Sequence, residues 1–280
     1  MPLDTPLIRF GIIADPQYAP LPPNLALDRH YDRSLQKLDK AVAAFNGEDL
    51  AFVVTLGDLI DRGYDSFVRV LERYSPLRHD CILLPGNHDF LVEPEYLPEV
   101  HLRLGMPAPY HQFRRAGLRF VVIDGSEESL FGAPAGHPFR ARAEERLKAL
   151  EAAGAVNAQT WNGGMSDRQF DWLAETLSDA AAAGEKVVVT GHYPLYPENN
   201  HNLWDWQRVV DLFERSGNVL AYLSGHNHDG NLGRHGSTWY VNFKGMVDTE
   251  TDNAFAIAEI FADRLRIIGF GREESRTLAF

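Results

Sequence analysis

Val219-Leu220-Ala221-Tyr222-Leu223, then Ser224, then Gly225-His226-Asn227-His228, is the stretch on which the reading of this chain turns. The apolar run predicts a strand and the glycine a turn. Residues i and i+2 of extended backbone point to one side, so both imidazoles can serve one site. Alone, the pair is a hint of a metal.

Four further segments carry residues of the same chemical kind, each after a strand-like run. They are Ile12-Ile13-Ala14-Asp15-Pro16-Gln17, Thr55-Leu56-Gly57-Asp58-Leu59-Ile60-Asp61, Leu84-Pro85-Gly86-Asn87-His88-Asp89 and Val189-Thr190-Gly191-His192-Tyr193-Pro194. Ligands of α/β sheets collect outside the carboxyl ends of the strands. Loops gathered at that edge would bring Asp15, Gln17, Asp58, Asn87, His192, His226 and His228 together. The glycines before Asp58, Asn87, His192 and His226 are expected at sharp turns. Carboxylate, amide oxygen and imidazole suit Mn, Fe, Zn or Co rather than a thiolate metal. Seven ligands exceed the needs of one ion, and two ions about 3.5–4 Å apart, bridged by one carboxylate, use them. Each segment has a plainer reading by itself, such as an Asp that caps turn amides. The recurrence of all five at strand ends argues against that.

The rest of the pattern alternates. Strands are expected at 7–13, 51–56, 80–84, 118–123, 186–190, 219–223, 238–243, 254–260 and 264–270. Helices are expected at 28–45, 66–74, 140–153, 166–183 and 203–215, with Ser166-Asp167-Arg168-Gln169 reading as a capping box. Strands alternating with helices predict α/β layers. The all-strand tail from Thr238 predicts a second sheet region or an antiparallel edge. No Pro/Gly/Ser linker divides the chain, so 1–280 reads as one domain, with 125–165 as an inserted cap or lid.

The 280 residues are 45% hydrophobic and 24% charged, with a formal net charge of −12. That charge argues against nucleic acid held by general electrostatics, which needs a basic face. It leaves a phosphate substrate open, because a bound divalent metal reverses the local sign. No protein partner is evident. Cys81 is the single cysteine, so no internal disulfide forms. In its strand-like run it is expected to be a small buried residue, and it fits a reducing compartment such as the cytoplasm. Residues 1–9 show no apolar stretch behind a basic segment, so no signal peptide is expected. No run approaches the ~20 apolar residues of a membrane span.

Taken in order, the five segments resemble the calcineurin-like metallophosphoesterase superfamily, whose signature is D-x-H, G-D, G-N-H-[DE], G-H and G-H-x-H. The first block departs, with Gln17 where most members have histidine. D-x-Q is similar to the Mn-dependent ADP-ribose/CDP-alcohol diphosphatase branch. So are Phe10-Gly11-Ile12-Ile13-Ala14-Asp15, Asn162-Gly163-Gly164, Tyr196-Pro197, Leu203-Trp204-Asp205-Trp206 and Gly225-His226-Asn227-His228-Asp229-Gly230. The resemblance implies an α/β fold, α+β in its four layers, with two facing mixed β-sheets flanked by helices. It implies that Asp58 bridges two metals, that Asp15, Gln17 and His228 complete the first site, and that Asn87, His192 and His226 complete the second. It makes His88 the non-ligand histidine that protonates or stabilises the leaving oxygen, with Asp89 orienting it. A neutral amide at position 17 shifts preference towards Mn(II) over Zn(II).

The activity so implied is hydrolysis of the diphosphate bond of ADP-ribose, CDP-alcohols or related small nucleotide-type substrates by a hydroxide shared between the metals. Cyclic-nucleotide or general phosphodiesterase activity on the same scaffold is the alternative, and a metal-binding protein without turnover is a third reading. Trp161, Tyr193, Tyr196, Trp204 and Trp206 are candidates to stack on a nucleobase, though loop packing is the commoner use. Arg62, Lys244 and Arg272 are candidate phosphate contacts or ordinary surface charges. His30, His79, His101, His111, His137, His201 and His235 share no pattern and read as surface or packing residues.

Overall fold

The computed structural model describes residues 5–280, so the first four residues of the stretch read for a signal peptide lie outside it. Among the described residues the strands form two six-stranded sheets and a two-stranded ribbon. The first sheet is built on β1 (Ile8–Ile13), β2 (Val53–Leu56) and β3 (Cys81–Leu84), which run parallel. The second is built on β5 (Leu118–Val122), β8 (Lys186–Thr190) and β9 (Val219–Ser224), also parallel. β2, β5 and β9 are buried along their whole length, as expected of central strands covered on both faces. Helices α1 (Ser34–Asn46) and α2 (Ser66–Tyr74) connect the strands of the first sheet. Helices α5 (Asp167–Ala182) and α6 (Trp206–Ser216) connect those of the second.

The two sheets face each other through aromatic rings. Phe10 on β1 lies 4.9 Å from Phe52 and 5.7 Å from Phe120 on β5, and Phe52 lies 5.1 Å from Phe120. On the outer face of the first sheet, Phe45 of α1 packs so closely over Gly11 that a Cβ there would lie 2.9 Å from its ring. A second apolar cluster joins Leu173 and Leu177 of α5 and Val209 and Phe213 of α6 to Val187, Val189 and Tyr222 beneath them. The layers are therefore helix, sheet, sheet, helix, as the resemblance implies.

The tail divides between the sheets. β11 (Thr238–Asn242) lies parallel beside β9, with β10 (Asn231–His235) outside it. β12 (Ala254–Ile260) returns antiparallel to β1 and carries β13 (Arg264–Gly271) and β14 (Arg276–Ala279) to the edge. All nine expected strands and five expected helices form. β4 (His111–Arg115), β10 and β14 were not expected, because edge strands bury one alternate face and read as polar. Also unexpected are the short α3 (Val100–Arg103) and the ribbon of β6 (Glu128–Ser129) and β7 (Gly163–Gly164). That ribbon flanks α4 (Pro138–Ala152), the helix expected in 125–165. Arg142 and Arg146 of α4 pair with buried Glu128 at 2.7 and 3.1 Å.

Two local readings need correction. Cys81 is exposed rather than buried, because it opens β3 at the sheet edge, ahead of the buried pair Leu83 and Leu84. The capping box at Ser166 is half formed. Ser166 Oγ accepts from Gln169 N at 3.2 Å, but Ser166 N donates to Glu127 at 3.0 Å. The Gln169 amide is instead committed to Asp124 and Glu127, pinning α5 to the end of β5.

Phe120→Ala is expected to cost about 3–5 kcal/mol, because it opens a cavity where the sheets meet. Chemical denaturation measures this. A loss below about 1 kcal/mol would mean that the ring cluster does not hold the sheets together.

Candidate metal centre

Both sheets present their carboxyl ends at one edge, and all five informative segments lie there. Asp15 follows β1, Asp58 follows β2, Asn87 follows β3, His192 follows β8 and His226 follows β9. The ligand atoms of Asp58, His192 and His226 lie within 4.8 Å of one another, and so do those of Asp15, Asp58 and His228. Asp58 is common to both groups. Asn87 Oδ1 lies 3.2 Å from His192 Nε2. Gln17 joins the cluster through an amide whose orientation is fixed. Its Nε2 donates to Asp61 Oδ1 at 3.1 Å, and a carboxylate can only accept, so Oε1 faces the other way. That oxygen is buried without a hydrogen-bond partner. A buried acceptor left free costs about 1–3 kcal/mol unless something binds it. A divalent cation is the natural partner beside two carboxylates.

The three imidazoles are set for the same purpose. His192 Nδ1 donates to the Leu56 carbonyl at 2.8 Å, leaving Nε2 toward Asp58 at 3.4 Å. His228 Nδ1 lies 2.8 Å from Asp248 Oδ1, leaving Nε2 toward Asp15 at 3.8 Å. His226 Nε2 lies 2.9 Å from Asn162 Oδ1, leaving Nδ1 inward. Each ring thus has one nitrogen tied to an oxygen acceptor and the other turned into the cluster, where His192 Nε2 and His226 Nδ1 lie 3.1 Å apart, the arrangement typical of metal-bound histidine.

The backbone is constrained here. Asp15, Gln17, Asp58 and His226 have φ of 48°, 45°, 51° and 71°, the left-handed region that ordinary residues avoid. Short hydrogen bonds hold them, including Gln17 N to the Asp58 carbonyl at 2.7 Å. Of the four glycines expected at turns, only Gly57 has a positive φ, 93°. The other three are small for lack of space: a Cβ at Gly86 would lie 2.2 Å from Asp58 Oδ1, and one at Gly225 2.6 Å from Asp15 Oδ2. At Gly191 it would lie 2.4 Å from the Tyr222 hydroxyl.

Charge is concentrated. Burial pushes Asp15 up to about 6 despite the pull of His228 and His192. Burial also opposes ionisation of Asp58, but His192 and His88 outweigh it and hold the carboxyl well below its usual range. Burial alone would lower His192, but Asp58 raises it to about 9. Burial and the neighbouring His192 keep His226 neutral. An ion entering this cluster displaces protons from it.

His88 lies beside the cluster, its backbone N–H on Asp58 Oδ1 at 2.8 Å. The expected partner, Asp89, does not hold its ring. Asp89 accepts from Ile60 N at 3.0 Å and Gly86 N at 2.9 Å, and so ties β2's loop to β3's. The turn at His88–Phe90 sends the two side chains to different sides. Asp61 takes the place given to Asp89, with Oδ1 3.1 Å from His88 Nδ1. One carboxylate therefore contacts both Gln17 and His88.

The remaining candidates separate. Tyr193 and Trp204 are buried; Tyr193 packs edge-on against His192 and His226, and Trp204 against Ala143 and Leu147 of α4. Tyr196 packs against Tyr240, and Trp206 against the helix side of the second sheet. Trp161 alone of the five is exposed, beside the cluster through Asn162. Arg62 pairs with Asp61 at 2.6 Å, whereas Lys244 leans to Glu274 at 3.7 Å and Arg272 supports the 245–248 loop. Among the histidines read as unpatterned, His201 is at the cluster, its ring 5.3 Å from that of His226. His30, His79, His101, His111, His137 and His235 bond to Asp28, Phe45, Asp124, Ala108, Phe139 and Glu214, away from it. Of the supports the sequence reading missed, Asp61 and Asn162 sat inside quoted motifs without an assigned role. Asp248 and His201 carried no local signal. Among the described residues no helix is long and apolar enough to cross a membrane.

Known proteins resemble this chain over most of its length. Residues 8–230 match the calcineurin-like phosphoesterase family. The manganese-dependent ADP-ribose/CDP-alcohol diphosphatase of Homo sapiens is 27% identical, over 98% of this chain and 93% of its own length. That of Arabidopsis thaliana is 28% identical, over 96% of each. A dimetal phosphatase from Danio rerio, solved by crystallography, has a TM-score of 0.87 at 26% identity, covering 98% of this chain and 99% of that one. With two mixed sheets converging on clustered carboxylates and imidazoles and a match over most of its length, this chain belongs to the calcineurin-like phosphoesterase family and is a hydrolase.

Proposed function

We propose that this chain hydrolyses the diphosphate bond of ADP-ribose, CDP-alcohols or related nucleoside diphosphate-linked compounds, using two Mn(II) ions. The observation that carries the reading is Gln17, which stands where the family signature has histidine and whose buried amide oxygen has no hydrogen-bond partner. The relatives with manganese and these substrates in their names support it. In this reading Asp15, Gln17, Asp58 and His228 would hold the first ion, and Asp58, Asn87, His192 and His226 the second, Asp58 being common to both groups. When bound, such a pair lowers the pKa of water towards neutrality and clamps phosphoryl oxygens.

The chain's own residues supply the rest. His88 delivers a proton to, or stabilises charge on, the departing phosphate oxygen. Asp61 keeps its ring in one orientation and tautomer. Trp161 is the aromatic free to stack on a base. Residues 1–280 act as one domain, and the 125–165 segment acts as a cap whose Asn162 reaches down to His226. The free thiol of Cys81 fits a cytoplasmic protein.

His88→Ala should lower kcat by about 10²–10⁴-fold with manganese content unchanged. Asp61→Asn should lower kcat in the same direction, whereas Asp89→Ala should chiefly lower the melting temperature, since it strands two buried N–H groups at about 1–3 kcal/mol each. Equal kcat losses in the Asp61 and Asp89 variants would contradict the division of roles. Mn(II) should raise the melting temperature, by about 2.7 kcal/mol of stabilisation at a hundred times its Kd. Asp58→Ala should abolish that shift, and a shift that survives would remove Asp58 from the bridge. Turnover of ADP-ribose, CDP-choline, CDP-glycerol, cyclic AMP and bis-p-nitrophenyl phosphate with Mn(II) tests the substrate class. Equal or better turnover of cyclic AMP would overturn it in favour of a phosphodiesterase.

A further inference from the structure

His201 stands apart from every other histidine near the cluster. His192, His226 and His228 each have a nitrogen tied to Leu56, Asn162 or Asp248, and His88 is tied to Asp61. Among the described residues the ring nitrogens of His201 have no hydrogen-bond partner, although the residue is half-buried. Its ring meets His226 edge-on, at 5.3 Å and 81°. It also feels the charges of His228, Arg29 and Asp229, and Arg29 acts on His88 as well. His201 therefore lies directly beside the cluster, against His226.

Its position is fixed by the loop. His201 N donates to Asn199 Oδ1 at 2.8 Å, and the amide of the buried Asn202 donates to the carbonyls of Leu195 and Pro197 at 2.9 and 3.2 Å. Asn162, which holds His226, also donates to the Asn200 carbonyl at 2.8 Å, so one side chain ties this loop to the cluster. A ring held by its backbone with both nitrogens free keeps its hydrogen-bonding capacity for a ligand. Neutral imidazole always carries one N–H donor, and the ligand chemistry this family acts on is a phosphoryl group rich in acceptors.

We propose that His201 donates a hydrogen bond to a phosphoryl oxygen of the bound substrate, as a substrate-contacting residue outside the five blocks of the signature. The proposal deepens the diphosphate reading given above and rests on it for the identity of the substrate. Its role is recognition: it binds phosphate without coordinating the metals and without replacing His88.

The test uses the full chain loaded with Mn(II), as wild type, His201→Ala and His201→Gln. With ADP-ribose or CDP-choline, His201→Ala should raise KM about tenfold, the worth of one hydrogen bond to a charged group, and more than it lowers kcat. His201→Gln, which keeps a donor, should recover part of that loss. Manganese content should match wild type in both. If neither diphosphate is hydrolysed by wild type, the substrate reading has failed. His201 is then read from inhibition by inorganic phosphate of bis-p-nitrophenyl phosphate turnover, where His201→Ala should raise Ki by a similar factor. Unchanged KM and Ki in His201→Ala would overturn the proposal. So would equal losses in Ala and Gln accompanied by loss of manganese, which would mark a structural role.

Discussion

Two buried carboxylates at the meeting edge of two sheets are the constraint on which the rest depends. Asp15 and Asp58 are 0% and 1% exposed, and the charge of Asp58 opposes ionisation of Asp15. Burying a carboxylate costs several kcal/mol unless charge and hydrogen bonds compensate. Here the compensation comes from three imidazoles and from backbone N–H groups of His88 and His226. Four left-handed residues and three glycines with no room for a Cβ then follow as consequences. The loops must crowd together to bring carboxylates, an amide and imidazoles from β1, β2, β3, β8 and β9 within reach of shared ions.

The clustered side chains are only half of the arrangement. Each imidazole is aimed by an acceptor from a distant part of the chain: Leu56 from β2, Asn162 from the segment after α4, and Asp248 from the loop after β11. The last loop is itself held from below. Lys37, buried in α1, donates to the carbonyls of Met246, Asp248 and Thr249 at 2.8, 2.7 and 2.7 Å. The orientation of His228 thus depends on the first helix of the protein. Asp61 has the corresponding place on the other side, receiving the Gln17 amide and facing the His88 ring. It connects Gln17, proposed as a metal ligand, to His88, proposed to handle the leaving group.

Most of this fold was legible because parallel strands buried on both faces read as apolar runs, and helices between them show their period. The edge strands β4, β10 and β14 were not legible because only alternate residues, such as Phe113 and Leu278, turn inward. All seven expected ligands meet at one edge, since side chains just past strand ends are positioned by sheet topology. What failed was local direction. His88 and Asp89 are neighbours in sequence, but a tight turn parts them, while Asp61 reaches His88 from a different loop. His201 was set aside because its relation to His226 arises only when the loop after β8 folds over the second sheet. The capping box failed in the same way, with Glu127 from another segment taking the bond that Gln169 was expected to make.

One shared carboxylate, that of Asp58, and one amide oxygen, that of Gln17, are proposed to organise two ions. A crystal grown with Mn(II), measured with anomalous diffraction at the manganese edge, tests this directly. Two peaks about 3.5–4 Å apart are predicted, one on each side of the Asp58 carboxylate, with Gln17 Oε1 directed at the ion shared with Asp15 and His228. A single peak, or a Gln17 amide turned away from both ions, would contradict the account.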